Sequence, residues 1–425
     1  MATAFLFFCF FALILFSVPV GVAIGAATLL VMEFVPGTPP ASLLIKNAIV
    51  GSDNFPLVAV PMFILAGEIM LAGGLSERIV GMAARVVGRM RAGLAYVNVL
   101  ASMFFAAISG SSPATVAAIG SNLIPEMEKH GYRRDFSAAL TAASGMLGVM
   151  IPPSIPLIIY GVVANVSLGS LFIAGIVPGI LFGIGFMVVA RIVVSENVTE
   201  PVVTDEDQTD GAPIRGKRGG IWALFVPVII LGGIYGGIFT PTEAAGVAVV
   251  YALFVSLVIY REMGLVDLPG ILVRSGRTTA TIMIMVAMAF AFGRFLTIES
   301  VPADMAELIT GATTNPIAIL LLLNLVLLVA GMFLEPVAAI IILAPILLPI
   351  AKSAGVDPVH FGIIMTCNLA IGFCTPPVGI NLFIASSIAK APVEAVIRKV
   401  LPFMIAMFIS MALVTFLPAL SLLFL

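Results

Sequence analysis

The chain has 425 residues, of which 61% are hydrophobic and only 10% charged, with a formal net charge of −2 and a mean hydropathy of +1.21. Soluble domains carry about 25% charged residues, so a chain this apolar requires lipid around it. The near-neutral charge and the lack of an arginine- and aromatic-rich strip argue against nucleic-acid binding. Cys9, Cys367 and Cys374 lie in apolar runs without a CxxC pair, which favours neither a disulfide framework nor a zinc site. His130 and His360 stand alone near segment ends.

Residues 4–32 form the first apolar stretch, and no Lys or Arg occurs before Lys46. A cleavable signal peptide has a positive start and a shorter apolar core, so this stretch is expected to remain as a first transmembrane helix. Further apolar segments follow near 56–73, 93–125, 137–164, 170–194, 221–238, 243–260, 279–296, 316–350, 359–389 and 400–425. At roughly 20 residues per crossing, these supply about ten to twelve crossings or re-entrant pieces. The expected fold is an all-α polytopic membrane protein. Glu68 lies deep in an apolar run with no evident partner, and Arg85, Arg89 and Arg91 fall between segments, where they would orient the chain on the cytoplasmic side.

The run that begins near Gly93 is interrupted by Ser109-Gly-Ser-Ser-Pro-Ala-Thr115 and resumes from Val116 to Pro125. Irregular backbone at membrane depth is tolerated only where protein or a water-filled cavity covers it. The cluster therefore suggests the tip of a re-entrant hairpin, where helix N–H groups meet an anion and carbonyls and hydroxyls hold a cation. Small residues allowing close helix packing are the simpler alternative. Next comes Gly148-Val-Met-Ile-Pro-Pro-Ser-Ile-Pro156. The adjacent Pro152 and Pro153 remove two donors and stop a helix, leaving either an unwound stretch with free carbonyls beside Ser154 or a plain kink.

Residues 195–220 (SENVTEPVVTDEDQTDGAPIRGKRGG) differ from everything around them, acidic first and basic at the end. They read as a polar linker between two halves, 1–194 and 221–425. In the second half, Thr240, Pro241 and Glu243 have the pattern of a helix start. Arg294 either meets a substrate carboxylate or marks a segment end. Gly331-Met-Phe-Leu-Glu-Pro-Val337 stands where a second hairpin tip would turn, with Glu335 and Pro336 at the turn. Glu335 there could touch a coupling ion or cap the next helix. The second diproline lies in Gly372-Phe-Cys-Thr-Pro-Pro-Val-Gly-Ile-Asn381, where Thr375 and Asn381 add neutral oxygens suited to sodium.

The halves match one another. Pro125, Gly131, Gly148, Pro152, Pro153 and Pro178 recur as Pro349, Gly355, Gly372, Pro376, Pro377 and Pro402, each 224 positions later. Pro113 pairs with Pro336 and Pro19 with Pro241 at offsets of 223 and 222. Gly and Pro fix backbone breaks, so a matched set indicates an internal duplication. Secondary transporters are commonly built from such repeats, with the binding site at the repeat interface. Repeats with an odd number of crossings would be inverted in the membrane. No HExxH, GxSxG or spaced His/Asp set points to an intramembrane enzyme, and a passive channel would not require paired helix breaks.

With these residues in view, the chain resembles the large membrane subunit of tripartite ATP-independent periplasmic (TRAP) transporters, the DctM-like family. The resemblance rests on SGSSPATVAAIG (109–120), GVMIPPSIPLIIYG (148–161), GGIFTPTEAAGVA (236–248) and CTPPVGINLF (374–383), and it extends over essentially the whole chain. It implies an elevator-type ion-transporter fold with scaffold and transport domains, sodium coupling, and an inner-membrane location. It also implies a small four-helix membrane subunit and a periplasmic substrate-binding protein as partners. The substrate would be a small carboxylate such as a C4-dicarboxylate, sialic acid or another sugar acid, with general likeness leaning towards sialic acid. Nothing like the small subunit's helices precedes Phe5, so that partner is expected to be encoded separately. Carried over position by position, Ser109, Gly110, Ser111, Ser112, Pro113 and Thr115 with Thr375, Pro376, Pro377, Gly379 and Asn381 would form the ion and substrate sites. Gly148, Pro152, Pro153, Ser154, Gly331, Glu335, Pro336 and Gly372 would lie beside them. Sodium would be held through Ser109, Ser111, Ser112, Gly331, Gly372 and Thr375. A stand-alone sodium- or proton-coupled anion symporter, needing no binding protein, is the alternative.

Overall fold

The computed structural model describes residues 2–194, 220–313 and 315–425; of the expected linker at 195–220, residues 195–219 lie outside these residues and Gly220 opens a helix. The described residues are helical, with no strand. In order, the helices are α1 (Ala2–Leu15), α2 (Val20–Phe34), α3 (Ser42–Ser52), α4 (Ala59–Ala72), α5 (Leu75–Val87), α6 (Gly93–Ser109), α7 (Ser112–Lys129), α8 (Arg134–Gly145), α9 (Ile155–Ala164) and α10 (Leu168–Val193). Beyond the linker come α11 (Gly220–Tyr235), α12 (Pro241–Phe254), α13 (Leu268–Ile298), α14 (Val301–Ala312), α15 (Pro316–Phe333), α16 (Pro336–Ser353), α17 (Pro358–Gly372), α18 (Ile380–Ala389), α19 (Val393–Phe416) and α20 (Ala419–Leu422). Among the described residues, seven helices are long and apolar enough to cross a membrane, including the first-half spans Phe55–Ala72 and Leu168–Val193.

The breaks follow the local chemistry. The apolar stretch 4–32 is two helices rather than one, because the chain turns at Ser17, with a left-handed φ of 61°, and Pro19 opens α2. Pro113, Pro241, Pro316, Pro336 and Pro358 each lie in the first turn of a helix, where a missing N–H costs nothing. The start of α12 is a complete capping box: Glu243 N donates to Thr240 Oγ1 at 3.3 Å, and Thr240 N donates to Glu243 Oε2 at 2.8 Å. One helix was not evident from hydropathy. Residues 75–87, including Arg85, form the amphipathic α5 rather than a connection. Its Arg78 is buried, ion-paired to Glu262 at 2.7 Å and lying 3.6 Å over the Tyr260 ring.

The helices pack in two groups. α13 lies against α2, α3 and α4; α12 packs on α4 and α11; and α1 packs on α2. In the other group, α7 and α8 pack together and against α6 and α18, α15 packs on α17, α16 on α9 and α17, and α19 on α8 and α10. The groups meet where α4 and α5 touch α6, and where α13 and α14 touch α16. Every position in 136–150 and 360–375 is buried. Polar side chains in these segments therefore need protein partners, as where Asn98 Nδ2 donates to Thr141 Oγ1 at 2.8 Å and Asn368 Nδ2 to Asn324 Oδ1 at 2.7 Å, and in both segments small residues, including Ala142, Ala143 and Ala370, allow close neighbours.

The α12 capping box gives a stability test. Thr240→Ala removes one side-chain acceptor and is expected to cost about 1 kcal/mol, lowering the thermal unfolding midpoint of the detergent-solubilised protein. Thr240→Ser should hold the wild-type midpoint. Equal midpoints for all three proteins would show that the cap contributes nothing.

Candidate functional site

The helices α6 and α7 form a hairpin whose tip is the Ser/Gly/Pro cluster. α6 ends at Ser109, Gly110 takes a left-handed φ of 59°, and α7 opens at Ser112 with Pro113 behind it. Glycine is required at 110 both for that φ and because a Cβ there would sit 2.8 Å from the Pro153 carbonyl oxygen. The buried hydroxyls of Ser109 and Thr115 lie 3.1 Å apart, and Thr115 Oγ1 donates to the Ser111 carbonyl at 2.8 Å. Gly148 lies directly against Ser111 O and Thr115 Oγ1, with no room for a side chain. The unwound stretch that contains the buried Pro152 and Pro153 then returns to the tip, where Ile155 N donates to Gly110 O at 3.4 Å. Ser154 starts α9: its hydroxyl donates to Val149 O and accepts from Leu157 N at 3.4 Å.

The second hairpin, α15 and α16, turns through Leu334 and Glu335 in extended conformation. Glu335 caps α16, with Oε2 accepting from Val337 N at 2.9 Å and from Ala338 N at 3.3 Å, while Pro336 fills the first helical position. Of the two roles open to Glu335 from sequence, capping is the one this geometry displays. Gly372, the counterpart of Gly148, packs directly on the backbone of Gly331. The two glycines 224 positions apart thus each lie against a hairpin in their own half of the chain. Thr375 Oγ1 donates to Ile371 O at 2.9 Å. Pro376 is half-buried and Pro377 exposed, and Gly379, with a φ of 49°, leads into α18.

Asn381 ties the two halves together. Its Nδ2 donates to Ser112 Oγ at 2.8 Å and to the Ala142 carbonyl at 3.0 Å. The same carbonyl accepts from Cys374 Sγ at 3.2 Å. Ser112 and Asn381 are both fully buried, so each satisfies a polar group that would otherwise be stranded.

Ser109, Gly110, Ser111, Ser112, Pro113 and Glu335 line one cleft of about 320 Å³, together with Gly67 and Glu68 of α4 and Thr278 of α13. Thr115, Gly148, Pro152, Pro153 and Ser154 support the first tip from behind. Gly331, Pro336, Gly372, Thr375, Pro376, Pro377 and Gly379 lie around the second tip and its neighbouring loop, and Asn381 lies on Ser112 of the first hairpin, all outside the cleft wall. The cleft also holds what sequence reasoning missed. Glu68, without a partner on sequence grounds, accepts from Arg274 Nε at 3.2 Å. That contact spans 206 positions, and only the apolar setting of Glu68 hinted at it. Arg294 is exposed and lines a separate pocket with Thr297 and Pro345.

The glycine contacts give the site its own test. Gly372→Ala drives a methyl into the Gly331 backbone, and overpacking of this kind costs roughly 1–3 kcal/mol. Its unfolding midpoint should fall below wild type, whereas Gly246→Ala, which meets nothing within 4 Å, should not fall. Identical behaviour of the two variants would contradict the close approach.

Comparisons with known proteins agree on one family. Residues 7–420 match the family described as "Tripartite ATP-independent periplasmic transporter, DctM component". The chain is 46% identical over 419 residues to an isethionate TRAP transporter permease protein, DctMQ, of Oleidesulfovibrio alaskensis, covering 98% of this chain but 65% of that one. It is 46% identical to a C4-dicarboxylate TRAP transporter large permease protein of Pseudomonas aeruginosa, covering 87% and 86% of the two chains. It is 40% identical to a sialic acid TRAP transporter large permease protein of Vibrio cholerae, covering 88% and 87%. In fold it resembles the solved YdaH transporter of Alcanivorax borkumensis, with a TM-score of 0.62 over 88% of this chain and 86% of that one at 14% identity. The chain belongs to the DctM family of TRAP transporters and is a multi-pass, inner-membrane permease component.

Proposed function

We propose that this chain is the large transport subunit of a sodium-driven TRAP transporter that imports a small organic acid. The observation that carries the reading is the cleft into which both hairpin tips open. Ser109–Pro113 reach it from one half of the chain and Glu335 from the other, with α4 and α13 as the facing wall. The six sodium-ligand positions fall into two clusters, Ser109, Ser111 and Ser112 at the first tip and Gly331, Gly372 and Thr375 at the second. They offer hydroxyls and main-chain carbonyls without formal charge, the donor type suited to a weakly held alkali cation that must also be released.

An elevator movement is supported by the division of packing. The hairpins and broken helices pack mainly on one another, and the cleft lies where they face α4 and α13. Movement of the hairpin group along that wall would carry ions and substrate together. The substrate class follows from the relatives, whose names specify isethionate, C4-dicarboxylates, sialic acid and 2,3-diketo-L-gulonate; all are small organic anions. A small membrane subunit and a periplasmic binding protein are the proposed partners. The chain spans 65% of the length of DctMQ, the first of those relatives.

The test is uptake of radiolabelled acids into proteoliposomes holding this chain and its small subunit, with the binding protein outside and an inward sodium gradient. Uptake that needs all three proteins and sodium supports the reading. Uptake without the binding protein would favour a stand-alone symporter, and uptake indifferent to sodium would remove the coupling. Ser111→Leu and Thr375→Leu should each lower uptake at least tenfold, equivalent to about 1.4 kcal/mol of lost binding, while still inserting in the membrane. Normal uptake by both would rule out the tip assignment.

A further inference from the structure

A second pocket, of about 430 Å³, lies at the end of the hairpin group remote from the first tip. α7 leaves that tip at Ser112 and ends at Lys129, and α8 returns from Arg134. The 18 residues of α7, at a rise of about 1.5 Å each, put its two ends about 27 Å apart. The pocket is therefore separate from the cleft. Its walls are the connection between α7 and α8, and the first two turns of α19.

Five charged residues line it: Arg133, Asp135, Glu394, Arg398 and Lys399. Arg133 Nε and Nη2 donate to the two carboxylate oxygens of Asp135 at 3.0 and 2.7 Å, so these two satisfy each other. Arg398 and Lys399 have no hydrogen bond or ion pair among the described residues, and only Glu394 opposes them. The pocket keeps one net positive charge and two adjacent unpaired cations. Arg398 also stands at the end of an apolar strip. Leu401, Ile405 and Phe408 follow it at helical spacing on the same face of α19, exposed by 52%, 62% and 42%. The opposite face is closed by Phe403, whose ring centroid lies 6.0 Å from Phe136 and 6.2 Å from Phe186. Because α19 is long and apolar enough to cross a membrane, the strip faces lipid tails and the pocket lies where headgroups begin.

We propose that this pocket holds the phosphate of an anionic phospholipid, with Arg398 and Lys399 as its ligands and the acyl chains lying along Leu401, Ile405 and Phe408. Phosphate oxygens can accept from both cations, and charge-assisted hydrogen bonds of this kind are the strong ones. Basic pockets between transmembrane helices suit such headgroups in general. The strip favours a lipid over a free phosphate ion, because only a lipid fills the apolar surface as well as the cationic one. The net positive charge favours a headgroup such as phosphatidylglycerol over zwitterionic phosphatidylcholine.

The experiment titrates the detergent-solubilised chain with short-chain phosphatidylglycerol, phosphatidylcholine of the same acyl length, and inorganic phosphate, reading the thermal unfolding midpoint. Phosphatidylglycerol should raise the wild-type midpoint at a tenfold lower concentration than phosphatidylcholine, and inorganic phosphate should not move it. Arg398→Gln combined with Lys399→Gln should respond to the two lipids alike. Lys46→Gln combined with Lys352→Gln removes the same charge from exposed positions elsewhere and should keep the preference. Native mass spectrometry should find one phosphatidylglycerol fewer on the Arg398/Lys399 variant than on wild type. Equal responses of wild type to the two lipids overturn the proposal, as does a preference that survives the loss of Arg398 and Lys399. Inorganic phosphate reproducing the shift overturns the lipid assignment in favour of a soluble anion. If the double variant does not fold, Arg398→Gln and Lys399→Gln are compared singly, and an unchanged preference in both overturns the proposal.

Discussion

Backbone groups released inside a membrane must find partners within the protein, because hydrocarbon offers none. That constraint governs every unusual feature of this chain. Two hairpins and two unwound stretches leave helix ends at depth, and several polar groups there find partners within the fold. Ile155 N finds Gly110 O, Asn381 finds Ser112 and Ala142 O, and Glu335 takes two amides of α16. The breaks and the close packing around them are one system: Gly148 and Gly372 are glycines because the hairpins can approach only where no side chain intervenes.

This arrangement concentrates polar groups at the hairpin tips and the unwound stretches. A helix running unbroken through the membrane hides its amides and carbonyls in its own ladder. Once broken, it presents them at the break. The hairpin tips and diproline loops place neutral oxygens together while the surrounding residues 136–150 and 360–375 stay buried at every position. On the proposed reading, the buried packing behind the tips would hold ions in a defined geometry, and the cleft lined also by α4 and α13 would let the bound group face different sides. The Ser112–Asn381 bond makes the two halves share one polar core, so the first tip is not set by its own half alone.

Much of this was legible beforehand for a simple reason: proline and glycine write backbone breaks directly into the chain. The hairpin turn at 109–115, the diproline stretches and the α12 capping box all depend on residues close in sequence, and each appears where the local chemistry places it. Reading was poorer where apolarity was not the signal. The amphipathic α5 escapes a hydropathy window because a helix lying against protein on one side has too mixed a composition. The long stretch 4–32 concealed a turn at Ser17, which needs only one left-handed residue and a following proline.

The sequence by itself determined the membrane class, the breaks at the hairpin turn and the diprolines, and the family, since these follow from composition and from residues that act within a few positions. Only the tertiary structure decided which of those residues share a cleft. It placed Ser109–Pro113 in one cleft with Glu68 and Thr278, partnered Glu68 with Arg274 across 206 positions, gave Asn381 to the first hairpin, and put Arg294 elsewhere. Such pairings depend on how helices far apart in the chain come to rest against each other. Their long-range packing leaves no local pattern to read, because an ion pair or a shared hydrogen bond constrains two positions without marking either.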